Sequence, residues 1–109
     1  MSGRRSYLGE FEQVVLLAVA RLRDEAYGMK LRTEIVNRTG RAVSIGAIYA
    51  TLDRLVAKDY LRTRDDDSSG RVRRFFTLTA DGVEALHAAN ELHARMWAGI
   101  QLPKPGRRG

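Results

Sequence analysis

Cysteine is absent from the 109 residues, which excludes disulfides and thiolate metal sites and fits a reducing compartment. Long apolar runs are also missing: the longest, residues 14–20, is too short to span a bilayer. Residues 1–7 are polar and basic and lack the apolar stretch of a secretory signal. The expectation is a cytoplasmic protein with no membrane contact. No Gly-rich loop ending in Lys-Ser or Lys-Thr is present, and no His-Glu-x-x-His. His87 and His93 stand six residues apart, a spacing that does not bring both onto one metal from a single helix. The run Asp65, Asp66 and Asp67 has no recognised coordination spacing. No residue set calls for a metal, a cofactor or catalysis, so the chain is read as a non-enzyme.

What is present describes one small soluble domain, 44% hydrophobic and 29% charged. A chain of this length buries a modest share of its surface, so association with further copies is expected. The net charge of +6 is less informative than it looks. Arg4, Arg5, Lys104, Arg107 and Arg108 lie in the tails, whereas all 13 acids lie between them, leaving that region close to neutral. Overall basicity is therefore weak support for nucleic acid, and the placement of charge matters more.

Residues 10–22 read as a first helix, with acids in the opening turn and Arg21 near the end, as the helix dipole favours. Residues 14–20 are apolar on every side, which requires cover on more than one face. A second helix is predicted over 27–39, stopped by Gly40. After the turn Arg41-Ala42-Val43, Ser44 is a good N-cap for a third helix. Ile45, Ile48, Leu52, Leu55 and Val56 give that helix its core face, while Gly46, Ala47, Tyr49, Ala50, Thr51, Asp53 and Arg54 are read as its outward face. Beyond Lys58-Asp59 the period becomes two, and residues 61–65 and 72–78 read as paired strands around a turn at 66–70. Thr79 caps a last helix predicted to run to about residue 100. Helix, turn, helix, then a hairpin is the pattern of a winged helix-turn-helix. The expected fold is mainly α with a small β-hairpin. Residues 8–79 form the DNA-binding domain, 80–101 a C-terminal dimerisation helix, and 1–7 and 102–109 flexible basic tails.

Three surfaces are candidates for function. The face of the third helix is small and polar enough to approach base edges in a major groove. Ser44, Tyr49 and the helix N-terminus suit phosphate contacts, Gly46 is small enough for close approach, and Thr51 and Arg54 suit base edges or a flanking phosphate. On the hairpin, Arg71 and Arg73 lie nearest the tip and are read as contacts to the DNA backbone, with Arg74 toward the core side and Asp65 to Asp67 in a solvated turn. On the last helix, Val83, Leu86, Ala89, Leu92, Met96, Trp97 and Ile100 cover more of the circumference than a small domain buries alone, so a second copy is expected there. His93, Met96 and Trp97 are read as lining an interface pocket for a flat aromatic effector.

The segments Leu8-Gly9-Glu10-Phe11-Glu12-Gln13, Tyr27-Gly28, residues 44–55 and residues 70–79 together resemble the PadR family of bacterial transcriptional regulators. The resemblance covers about residues 8–100 and points to the compact subfamily with a single C-terminal helix. It implies a winged helix-turn-helix homodimer joined through the first and last helices and usually repressing transcription. It also implies phosphate or base-edge roles for Ser44, Gly46 and Tyr49, and backbone contacts from Arg71 and Arg73. Some members of that subfamily bind aromatic drugs beside a helix tryptophan. Two departures stand out: Phe75 and Phe76 replace frequent tyrosines, and Asp59 stands where a glycine is common. The function expected is a nucleoid-associated repressor that binds double-stranded DNA at a pseudo-palindromic operator and is released by a small aromatic effector. The alternative is a winged-helix protein-interaction module that does not bind DNA.

Overall fold

Acidic side chains at Glu10 and Glu12 open helix α1, Glu10–Leu22. Glu12 reaches back to accept the Gly9 N–H at 2.9 Å, one half of a capping box. A 3₁₀ turn, Arg23–Glu25, leads to α2, Gly28–Thr39, for which Tyr27 is the N-cap. Gly40 ends α2 at φ 72°, a left-handed conformation suited to a residue without Cβ. The turn is drawn against α2 because Arg32 Nε donates to the Val43 carbonyl at 2.6 Å. Helix α3, Ile45–Ala57, begins as predicted at Ser44, whose Oγ accepts the Ala47 N–H at 3.0 Å. Strands β1, Leu61–Asp66, and β2, Arg73–Leu78, pair antiparallel from Leu61 opposite Leu78 to Asp66 opposite Arg73. Helix α4, Ala80–Trp97, starts from Thr79, whose Oγ1 accepts the Gly82 N–H at 2.9 Å. The computed structural model describes residues 8–106; the tail expected at 1–7 and the final three residues lie outside them.

The core lies where the first three helices meet the hairpin. Val15, Leu16 and Val19 of α1 pack with Leu31 and Ile35 of α2, Ile48, Leu52 and Leu55 of α3, and Leu61 and Phe76 of the hairpin. Fully burying side chains of this size contributes about 1.5–3 kcal/mol each. From α4 only Gly82 and Ala85 are buried, and the rest of that helix has little cover. The radius of gyration is 16.3 Å, against about 13 Å for a compact chain near 100 residues. Among the described residues, no helix is long and apolar enough to cross a membrane. The architecture is a winged helix-turn-helix with an added C-terminal helix.

Three boundaries differ from the sequence reading. Helix α4 stops at Trp97, because Ala98 turns to extended backbone and Gly99 adopts φ 79°. Strand β1 continues to Asp66, so Asp65 and Asp66 belong to the ladder and not to the turn. Cross-strand charge explains the extension: Arg74 Nε meets Asp65 Oδ1 at 3.1 Å, and Arg73 stands opposite Asp66. Strand β2 begins at Arg73, with Val72 exposed in the turn.

Asp59 occupies φ 66° at the exit of α3, where the sequence departs from glycine. Left-handed backbone disfavours most side chains, although aspartate tolerates it better. Asp59→Gly is expected to raise stability by about 0.5 kcal/mol, a rise of a few degrees in thermal midpoint. A lower midpoint would show that the carboxylate makes a stabilising contact of its own.

Candidate nucleic-acid interface

Helix α3 stands with its N-terminus and one flank in solvent. Ser44, Gly46, Ala47, Ala50, Asp53 and Arg54 are exposed along it. Tyr49 is 46% exposed, and its ring lies across the first turn of α2. A Cβ on Gly28 would come within 2.4 Å of the Tyr49 hydroxyl. The Tyr27-Gly28 pair therefore has a local cause: a side chain there would displace the tyrosine from the outward face.

Thr51 corrects the sequence reading. It is 2% exposed, and its Oγ1 accepts from Arg54 Nη2 at 3.2 Å inside the helix flank. It cannot reach a base edge. The signal was angular and not chemical: Thr51 is three residues after Ile48 and four before Leu55, both fully buried, and so shares their face. A hydroxyl suggested an outward position that the helix geometry denies.

Arg54 remains on the accessible side, but it is held. Besides Thr51, its Nε lies 3.6 Å from Glu12 Oε2 on α1. Glu12 also accepts from Lys58 Nζ at 3.0 and 3.2 Å. Burial alone pushes the Glu12 carboxyl up. The Gly9 N–H, the Lys58 ammonium and the Arg54 guanidinium together outweigh that and hold it below the ordinary value. In sequence Glu12 looked like one of two acids opening a helix. Its partnership with α3 depends on how the helices cross, which local pattern does not show.

The wing is anchored along β2. The Phe76 N–H donates to the Ala26 carbonyl at 2.9 Å, and Tyr27 forms an isolated bridge with Phe75. Their rings meet edge to face at 5.4 Å. Arg73 lies over the Tyr27 ring at 4.4 Å, and Arg64 over Phe75 at 4.6 Å. The four side chains form a continuous stack, and Arg73, the first residue of β2 and opposite Asp66, borders the turn with its guanidinium held on the Tyr27 ring. Arg71, by contrast, is exposed in the turn. Asp66 accepts the Ser68 N–H at 2.8 Å and faces Arg64 at 3.4 Å. The Ser68 bond first, and Arg64 after it, hold its carboxyl below the usual range.

Of the three residues read as an effector pocket, one lines a groove of the single chain. His93 lines a groove of ≈ 700 Å³ between α1 and α4, together with Leu17, Val83 and Leu86. Met96 and Trp97 do not line it and are 72% and 58% exposed. All three lie within about one turn of α4, but no element of the described chain covers Met96 and Trp97, so they share no cavity with His93 within one chain.

The hairpin directly after a capped, exposed helix defines the class: a winged-helix regulator. The Transcriptional regulator PadR-like family matches residues 16–88, and the chain belongs to that family. Similar solved structures include a PadR-like transcriptional regulator from Bacillus cereus, 24% identical over 79% of this chain and 82% of that one, with a TM-score of 0.67. A PadR family regulator from Eggerthella lenta is 22% identical over 83% and 81%, with a TM-score of 0.67. A winged-helix DNA-binding protein from STIV is 21% identical over 88% of this chain and 100% of that chain, with a TM-score of 0.69. At these identities the likeness concerns the fold. None of the curated proteins compared matches the chain.

Proposed function

We propose that this regulator binds double-stranded DNA sequence-specifically as a homodimer and represses transcription from the operator it occupies. The observation that carries the reading is the bare outward face of α3, from Ser44 through Tyr49 to Arg54, beside an arginine-bearing wing. Ser44 and the free amides of the α3 N-terminus suit a phosphate, as does the hydroxyl of the half-exposed Tyr49. Gly46, Ala47 and Ala50 leave room for the groove floor, and Arg54 presents donors to it. Arg71 at the tip supplies backbone neutralisation.

Dimerisation through α1 and α4 is supported by the exposed apolar side chains gathered there, among them Leu17, Val83, Leu92 and Trp97, and by the extended shape. Two recognition helices about a two-fold axis then read half-sites roughly one helical turn apart. Such a protein works on the nucleoid. Release by a small aromatic effector at His93, Met96 and Trp97 belongs to this reading through the dimer, since a second copy is needed to enclose Met96 and Trp97.

Selection of bound duplexes from a random DNA pool tests the function, with an inverted repeat as the expected product. Failure to enrich any sequence would overturn it. On the selected duplex, Arg71→Ala is expected to weaken binding to all sequences alike and to reduce the salt slope by about 1. An unchanged slope would remove Arg71 from the interface.

A further inference from the structure

A charged side chain is seldom buried without a purpose that its partners reveal. Glu12 is 8% exposed on α1, yet two of its three partner groups are cations one turn apart, Arg54 in the recognition helix and Lys58 at its C-cap. Lys58 by itself supplies a full counter-charge and bonds to both carboxylate oxygens. Arg54 is therefore not needed to satisfy the carboxylate. At 3.6 Å its Nε is beyond hydrogen-bond length, so the carboxylate orients the guanidinium through charge.

The orientation has a definite sense. Nε faces Glu12 and Nη2 donates to Thr51 Oγ1, so the side edge of the guanidinium is turned to the protein. The end edge, Nη1 with the second hydrogen of Nη2, has no partner among the described residues, and the side chain is 57% exposed. That end edge is a fork of parallel donors, the geometry that matches guanine O6 and N7. A freely rotating arginine would serve any phosphate equally well.

We propose that Glu12 is a positioning residue for sequence reading: it fixes Arg54 so that the arginine selects bases instead of adding general attraction for phosphate. The inference rests on the DNA-binding reading above and assigns α1 a part in it. Glu12 has a second effect of the same sense. Without its negative charge, Arg54 and Lys58 would present two uncompensated cations to the DNA backbone, which strengthens binding to every sequence.

The test measures affinity for the selected duplex and for an unrelated duplex of equal length, across salt concentrations. Glu12→Gln is expected to lower the ratio of specific to non-specific affinity about tenfold and to steepen the salt slope by about 1. Glu12→Asp keeps the charge but withdraws the carboxylate by one methylene. It should lower the ratio while leaving the slope unchanged, and it serves if the Gln variant melts below the assay temperature. In an Arg54→Ala background neither change should move the ratio, because an effect exerted through Arg54 is not additive with its removal. A ratio that stays at the wild-type value in both variants overturns the inference, as does an equal fall in the Arg54→Ala background. Wild-type protein with no preference between the duplexes would instead overturn the DNA-binding reading itself.

Discussion

Gly82→Ala is expected to destabilise the protein by about 3–5 kcal/mol, although alanine is the better helix former. On propensity alone the change would gain about 1 kcal/mol, so the two accounts differ in sign. The reason lies in the crossing of α4 over the link from α3 to β1. A Cβ on Gly82 would sit 2.2 Å from the Tyr60 carbonyl oxygen and 3.1 Å from its carbon, against backbone that has no rotamer to change. Relief requires the first turn of α4 to lift. That strains two bonds which tie it down: the Thr79 N–H to the Tyr60 carbonyl at 3.1 Å and the Thr79 hydroxyl to the Asp59 carbonyl at 2.6 Å. Overpacking costs about 1–3 kcal/mol and each lost bond about 1 more. Thermal unfolding should show a midpoint lower by more than about 12 °C. A midpoint at or above that of the wild type would mean that α4 shifts freely on the link.

On the dimer proposed above, Leu17→Glu should leave a folded monomer that binds the selected duplex on the order of 100-fold more weakly. Leu17 is 50% exposed and lies outside the core, so the substitution removes little packing within the chain. It does place a carboxylate in the apolar groove that α1 and α4 form with Val83, Leu86 and His93. Burying an unpaired charge against a second copy is costly enough to abolish most association. A monomer engages one half-site at a time and forfeits the gain of linked binding, which is commonly 10²–10⁴. Sedimentation velocity reads the mass and a mobility shift reads the affinity. A variant that remains dimeric would move the interface away from this groove.

Much of the fold was legible because its signals are local. Ser44, Thr79 and Gly40 each act within one turn of their own position, and all three end or begin helices as expected. The end of α4 was equally local, and Gly99 marked it, but the apolar periodicity carried the reading on to residue 100. The site was less legible. Thr51 lies on the buried face with Ile48 and Leu55, because the angle on the helix overrides the polarity that suggests an outward position. The positions of Glu12 and Arg73 depend on contacts made across the chain, with Lys58 and Tyr27 respectively. No periodicity within α1 or β2 encodes which neighbour the other element brings.

The stack of Arg73, Tyr27, Phe75 and Arg64 also bears on the speed of docking. It holds the strands of the wing as far as the Asp66–Arg73 pair before any DNA arrives, leaving the short turn between Asp66 and Arg73 as the part with freedom to lose. Ordering a residue's backbone costs about 1–2 kcal/mol, so a wing loose along its whole length would surrender much more on binding. The entropic penalty is thereby confined to a few tip residues around Arg71. Lengthening or recomposing that tip changes reach and affinity while the strands stay where the aromatic rings set them.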